Sequence, residues 1–224
     1  MARSGPAAGG GRRLEVSPER TERWVAGFAE RHGGLAVTET GLRAVTFTAA
    51  DGSVAECHVP FPPLTVRSGL EGLVAHALRD RRVGVLLVRL GGYAAGVFEG
   101  ERLVASKVGA RQVHGRSAAG GQSQQRFARR RDKQAREALA AAADVAVRVL
   151  GPETAGRTPL EAVVLGGDRR AIAALREDRR LAAVFALAVD EPFLTVPDPR
   201  LAVLRQTTVH FRAVRILLTE RTAG

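Results

Sequence analysis

Three short apolar stretches separated by glycine-containing turns place the strongest constraint on the fold. Val83–Val88 is an uninterrupted apolar run of the kind found in central strands. Gly91-Gly92 separates it from a second stretch at 93–98, and Glu99-Gly100 separates that one from a third at 102–108. Because strands joined by tight turns run antiparallel to their neighbours, this order predicts a three-stranded antiparallel meander.

Helices and further strands are predicted after the meander. Apolar residues recur at helical spacing from Gln124 to Leu150, and Gly151-Pro152 ends that pattern. Beyond it we expect a strand at 160–165, a helix at 169–178, a strand at 183–189, a helical turn at 199–206 and, at 209–218, either helix or strand. The order βββ-α-β-α-β-α predicts an α+β fold, a mixed sheet with packed helices similar in topology to ribonuclease H.

The region before the meander has no recognisable chemistry. Residues 1–13 are rich in glycine, alanine and arginine without periodicity, which predicts a disordered tail. Residues 14–82 predict a helix–hairpin–helix section, with a helix starting at Ser17-Pro18, a hairpin turn at Asp51-Gly52 and a short helix at 72–81. Residues 83–219 are then predicted to form the functional domain.

The net positive charge of the chain indicates what kind of partner it binds. Lys and Arg number 34 against 23 Asp and Glu, a formal net charge of +11. Only Lys107 and Lys133 are lysines, so arginine provides nearly all of the positive charge. The planar guanidinium group suits bidentate contacts to phosphate. Such a cationic surface makes nucleic acid the expected partner.

Other classes of protein are disfavoured by what the sequence contains. A single cysteine excludes an internal disulfide and a Cys-rich zinc site, and the five histidines are scattered, so we expect no metal and no cofactor. Cys57 and His58 are adjacent, and we interpret both as structural. No apolar run reaches the roughly 20 residues of a membrane span, and no secretory signal is present. We therefore expect a cytoplasmic protein without a membrane partner.

Positive charge is concentrated between Lys107 and Arg136. This segment holds nine basic residues and one acidic residue, Asp132. Arg126, Arg129, Arg130 and Lys133 would share one helix face, because they lie at positions i, i+3, i+4 and i+7. A basic helix face beside a loop with no apolar pattern predicts phosphate binding. The candidate RNA-binding residues are Lys107, Arg111, His114, Arg116, Arg126, Arg129, Arg130, Arg131 and Lys133.

A Gly-Gly-Gln tripeptide lies inside this basic segment. Gly120 and Gly121 free the backbone for a positive φ and for close approach to another backbone. Gln122 offers two donors and one acceptor but no titratable group, so it is no general base. It can orient a water, or stabilise a departing oxygen through its backbone N–H. Gln122, Gly120 and Gly121 are therefore the candidate catalytic residues.

The longer string around the tripeptide resembles the GGQ-containing middle domain of eukaryotic and archaeal peptide-chain release factors. The matching residues are His114-Gly115-Arg116, Gly120-Gly121-Gln122-Ser123, Arg126-Phe127-Ala128-Arg129 and Arg131. The chain is most similar to the release-factor-like domain of ribosome-quality-control peptidyl-tRNA hydrolases. Ser117-Ala118-Ala119 makes the loop longer than the release-factor pattern.

The resemblance implies a peptidyl-tRNA hydrolase, and we expect the protein to be bacterial. The resemblance places Gln122 in the peptidyl-transferase centre of the large ribosomal subunit, at the CCA end of peptidyl-tRNA, with the basic residues on rRNA or the tRNA acceptor stem. A chain with no room for a codon-reading domain would release peptides from stalled ribosomes or large subunits without reading a stop codon.

Two alternatives remain open from the sequence. One is an endonuclease that cuts tRNA near its CCA end, although Asp132 and Glu137 lie five positions apart and would not share a helix face. The other is a non-catalytic module that binds the ribosome or RNA, for which the tripeptide has no catalytic task.

Overall fold

The computed structural model describes residues 3–6, 11–65, 69–89, 92–110 and 123–221. The strands in these ranges are β1 (Arg3–Pro6), β2 (Arg12–Val16), β3 (Leu35–Thr40), β4 (Ala44–Ala49), β5 (Val54–His58), β6 (Arg82–Arg89), β7 (Gly92–Glu99), β8 (Arg102–Ala110), β9 (Ala162–Gly167) and β10 (Val214–Thr219). The helices are α1 (Pro18–Arg31), α2 (Gly69–Leu78), α3 (Ser123–Leu150), α4 (Arg169–Arg176), α5 (Ala182–Ala186), α6 (Leu201–Gln206) and α7 (Thr208–Phe211). This content confirms the predicted α+β class.

The chain folds into two compact units. Unit 1 comprises Met1–Arg79 together with Thr208–Gly224, and unit 2 comprises Asp80–Thr207. This division differs from the predicted boundaries, because the last strand of the chain joins the first unit rather than the second. It differs also at the predicted tail, since 1–13 includes β1 and the start of β2.

Unit 1 is built on an antiparallel sheet in the order β1-β2-β10-β5-β4-β3. Alternate residues of β4, among them Val45 and Phe47, are buried, as expected of a sheet covered on one face. Helices α1 and α2 cover that face with Phe28 and Leu73, which are fully buried. Strand β3, which the sequence did not predict, forms an edge and is exposed along its whole length.

Helix α1 follows the predicted start and stop signals. Ser17 precedes it, Pro18 occupies its first turn, and Glu19 places an acid there. After Arg31 the backbone turns through Gly33 and Gly34, which have φ values of 78° and 101°. Only glycine adopts such values readily, so the helix ends there.

Cys57 and His58 occupy opposite faces of β5. Cys57 is fully buried in the core, whereas the His58 ring lies 3.3 Å from the Glu56 carboxylate on the other face. Burial raises the pKa of the Cys57 thiol to about 12. Cys57 therefore packs in the core and His58 pairs with a carboxylate, which agrees with the interpretation of both residues as structural.

Unit 2 contains the predicted meander. Its sheet has the order β8-β7-β6-β9, with β6, β7 and β8 antiparallel and β9 parallel to β6. Helix α3 carries the chain from β8 to β9 and packs against β7 and β8. Three antiparallel strands followed by a parallel strand beyond a helix are the predicted ribonuclease-H-like order. The core between sheet and helices includes Leu86, Val97, Ala146, Leu150 and Val163.

The predicted strand at 183–189 is wrong. Residues Ala182–Ala186 form helix α5, and Ala188 alone makes an isolated bridge, to Val163 of β9. The run 183–189 contains three alanines, which favour helix over strand. The ambiguous segment 209–218 divides between the two states: α7 ends at Phe211, and strand β10 begins at Val214.

Candidate functional site

The Gly-Gly-Gln tripeptide lies between two described elements of unit 2. Gly120, Gly121 and Gln122 are outside the described residues, as are Arg111, His114 and Arg116. Strand β8 ends at Ala110, and helix α3 begins at Ser123, the residue directly after Gln122. The geometry of the candidate site is therefore that of its two flanks.

The strand flank is an edge strand whose last residues lie beside an aromatic ring. Gly109 is paired in register with Tyr93 of β7. A Cβ atom added at Gly109 would lie 2.3 Å from Cε2 and Cζ of the Tyr93 ring, so the ring rests directly on the glycine backbone. Such aromatic cover compensates for the missing side chain of a strand glycine. The sequence reasoning missed this pair. Counting back along both strands from the turn at Glu99-Gly100 would have aligned Tyr93 with Val108 instead, because the register shifts by one residue between Val97 and Phe98.

The helix flank is anchored at its far end. Residues Ala142, Ala143, Ala146 and Leu150 of α3 are buried, whereas Lys133 is exposed. Helix α3 has 28 residues and therefore a length of about 42 Å. The tripeptide thus precedes the end of a long helix whose opposite end is fixed in the core of unit 2.

Basic positions occupy one side of α3. At 100° per residue, Arg126, Arg129, Arg130 and Lys133 share a face roughly opposite the buried residues Ala142 and Ala146. Arg131 lies on α3 outside this face. The side chains of the four arginines are outside the described residues, whereas those of Lys133 and of Lys107, on β8, are exposed.

The first turn of α3 has a charge pattern that opposes helix stability. It contains no acidic residue, and Arg126 stands at its end. The positive end of the helix dipole favours acids there and disfavours cations, by about 0.3–1 kcal/mol for each charge. A cationic helix start is consistent with an anionic partner.

Carboxylates and other metal-ligand residues are not grouped in the described ranges. No three residues among His, Cys, Asp and Glu lie close enough there to hold a metal ion. The side chain of Asp132, considered for a nuclease site, is not described, and Glu137 lies further along α3. The described geometry therefore adds no support for metal-dependent cleavage of a phosphodiester.

Helix α3 is the longest helix among the described residues. No helix in those ranges combines the length and apolar character needed to cross a membrane.

A family model matches nearly all of unit 2 and the residues that follow it up to 217. Residues 81–217, more than half of the 224-residue chain, match the family model of the Actinobacteria/Chloroflexi VLRF1 release factor. No curated protein sequence matches the chain.

The solved structures similar to the chain include two archaeal proteins. One, described as an archaeal protein, matches at 18% identity and a TM-score of 0.37, over 72% of this chain and 48% of that protein. The other is the archaeal translation termination factor aRF1, at 15% identity and a TM-score of 0.38, over 87% of this chain and 62% of that protein. The chain thus spans about half to three fifths of the length of these two proteins.

The family match covers the whole meander, the segment with the Gly-Gly-Gln tripeptide, helix α3 and most of β10. The expected release-factor-like character is therefore confirmed. The chain belongs to the Actinobacteria/Chloroflexi VLRF1 release factor family.

Proposed function

We propose that this protein is a peptidyl-tRNA hydrolase that releases nascent peptides from stalled ribosomes or large subunits in the cytoplasm without reading a stop codon. The observation that carries the proposal is the position of Gly120-Gly121-Gln122, directly before the basic helix α3, in a chain of a release factor family. A long helix anchored at its far end is suited to carry a short tip into a narrow site.

Gln122 is proposed to act on the ester that joins the peptide to the terminal ribose of the tRNA. Its amide orients the attacking water, and its backbone N–H donates to the oxygen on which negative charge develops. Water adds to the ester carbonyl carbon, the bond to the ribose oxygen breaks, and that oxygen takes up a proton. Gly120 and Gly121 lack side chains that would prevent close approach to the substrate.

The basic residues are proposed to hold this tip on RNA. Lys107 and Lys133 present exposed ammonium groups on the two elements that flank the tripeptide. Arg111, His114 and Arg116 belong to the connection itself, and the arginines of α3 follow it. Contacts of this kind to rRNA phosphates or to the tRNA acceptor stem would position the loop and weaken steeply with salt.

The proposed role of Gln122 is tested by release of labelled peptide from purified large subunits that carry peptidyl-tRNA. We expect Gln122→Ala to slow release by about 100-fold, because it removes the amide that orients the attacking water and leaves the backbone N–H in place. Gln125→Ala removes the same side chain three positions away on α3 and is the matched control, which should release at the wild-type rate.

Sedimentation with large subunits separates a catalytic defect from a binding defect. Gln122→Ala should bind as tightly as wild type, because its amide is assigned to the reaction rather than to docking. Release at an undiminished rate by Gln122→Ala would remove the proposed role. An inert wild-type protein that still binds would instead indicate the non-catalytic module.

A further inference from the structure

A second group of arginines lies away from the tripeptide, on α4 and the 3-10 turn that follows it. Residues 169–180 contain five arginines and two acids, Glu177 and Asp178. All five arginines are exposed. We define four of them, Arg169, Arg170, Arg176 and Arg179, as the α4 arginine cluster.

Two members of the cluster are held in place by aromatic rings. The guanidinium carbon of Arg169 lies 4.1 Å from the centre of the Phe193 ring, and that of Arg176 lies 4.8 Å from the Phe185 ring. Both rings belong to the hydrophobic core of unit 2 or pack against it. Stacking restrains a guanidinium group without an acidic partner and leaves its N–H donors available.

The neighbouring aspartates are already engaged by other groups. Asp168 accepts from the backbone N–H groups of Arg170 and Ala171 and so caps α4. Asp178 and Asp144 both bind the guanidinium of Arg180, at 2.7 and 2.8 Å. Arg180 alone therefore forms salt bridges with both carboxylates.

The four arginines of the cluster make no salt bridge within the described part of the chain. Glu177 is an exposed carboxylate of the same segment and is likewise not paired with them there. The cluster therefore presents a local excess of positive charge toward solvent.

Helix α4 is fixed on the core of unit 2, and the turn after it contacts α3 far from the start of that helix. Ile172 and Leu175 of α4 are buried, and Arg180 links the turn to Asp144 of α3. Asp144 follows Ser123 by 21 positions, which corresponds to about 31 Å along the helix axis. An RNA contact confined to the tip of α3 would therefore not include the turn that carries Arg179.

We propose that the α4 arginine cluster is a second docking surface, which binds the phosphate backbone of structured RNA. Planar guanidinium groups with free donors match phosphate oxygens in charge and geometry. A membrane surface fits less well, because none of the exposed large apolar residues of the described chain lies between 169 and 180. The proposal concerns RNA binding alone and holds whether or not Gln122 catalyses hydrolysis.

The test uses the full chain and a fluorescently labelled RNA duplex, with anisotropy measured over a series of KCl concentrations. Replacing all four cluster arginines by glutamine should weaken binding at least tenfold and reduce the slope of log K against log salt by about 2 to 4. The matched control carries the same charge change on unit 1, at the exposed residues Arg20, Arg23, Arg31 and Arg43. It should bind nearly as tightly as wild type.

A second variant keeps the test valid if loss of ring stacking disturbs the fold. Arg170→Gln/Arg179→Gln touches neither stacked arginine and should reduce the salt slope by about half as much as the fourfold change. Equal binding by wild type and cluster variants would overturn the proposal. So would equal loss of affinity for a poly-glutamate peptide or for phosphatidylserine vesicles, because the surface would then be a general or non-RNA anion site.

Discussion

The contact between Gly109 and Tyr93 makes a prediction in which one substitution changes the sign of its effect. An added Cβ at position 109 would lie 2.3 Å from atoms of the Tyr93 ring. Van der Waals contact needs more than 1 Å of additional separation, so the half-buried ring must move away. We expect Gly109→Ala to destabilise the protein by about 1–3 kcal/mol, the usual cost of overpacking.

Removing the ring should reverse this effect. Gly109 lies in β8 without a positive φ, so its backbone suits alanine. Glycine costs about 0.5–1 kcal/mol relative to alanine inside a strand. In a Tyr93→Ala background, Gly109→Ala should therefore stabilise by about that amount. The coupling between the two positions is then about 1.5–4 kcal/mol.

Urea unfolding of wild type, the two single variants and the double variant measures this coupling. Gly151→Ala is the matched control, because a Cβ there meets nothing within 4 Å, and it should not destabilise. Additive effects at positions 93 and 109 would refute the contact. If β8 also positions the tripeptide, Gly109→Ala should slow peptide release more than its loss of stability explains.

Further predictions concern the two cores and one surface carboxylate. Leu150→Ala should cost about 2–5 kcal/mol in urea unfolding because Leu150 is fully buried, whereas the partly exposed Leu201→Ala should cost far less. The Cys57 thiol, with its pKa raised to about 12, should resist a disulfide reagent at pH 8 until the protein unfolds, since only roughly one thiol in ten thousand is ionised. Hydrogen bonding from the Ser53 backbone lowers the pKa of Asp51 from 3.8. The ionised Asp51 carboxylate therefore stabilises the folded protein fully above about pH 4, and this contribution is lost as the pH falls through the lowered pKa of the folded state. Asp51→Asn should therefore flatten the acid limb of a curve of unfolding free energy against pH.

Local patterns predicted the elements around the tripeptide well. The turns at Gly91-Gly92 and Glu99-Gly100 fixed the antiparallel meander, and apolar spacing up to Leu150 predicted α3. These signals are contained within neighbouring residues, so no knowledge of distant contacts was required.

Features that depend on distant contacts were not predictable. Strand β10 completes the sheet of unit 1 by pairing with β2 and β5, which lie far away in sequence. The apolar run at 183–189 suits a buried strand or a buried helix equally, and only its alanines favoured the helix that forms. The stacking of Arg169 and Arg176 on rings likewise has no sequence signal, because Phe193 and Phe185 follow at unrelated spacings.

The 3′ end of the released tRNA tests the central claim most directly. Wild-type protein is incubated with large subunits carrying peptidyl-tRNA, and the tRNA end and the peptide end are both read by mass spectrometry. Hydrolysis of the ester predicts tRNA with an intact CCA end and a peptide with a free carboxylate. A shortened tRNA, with nucleotides still attached to the peptide, would contradict ester hydrolysis and indicate a nuclease.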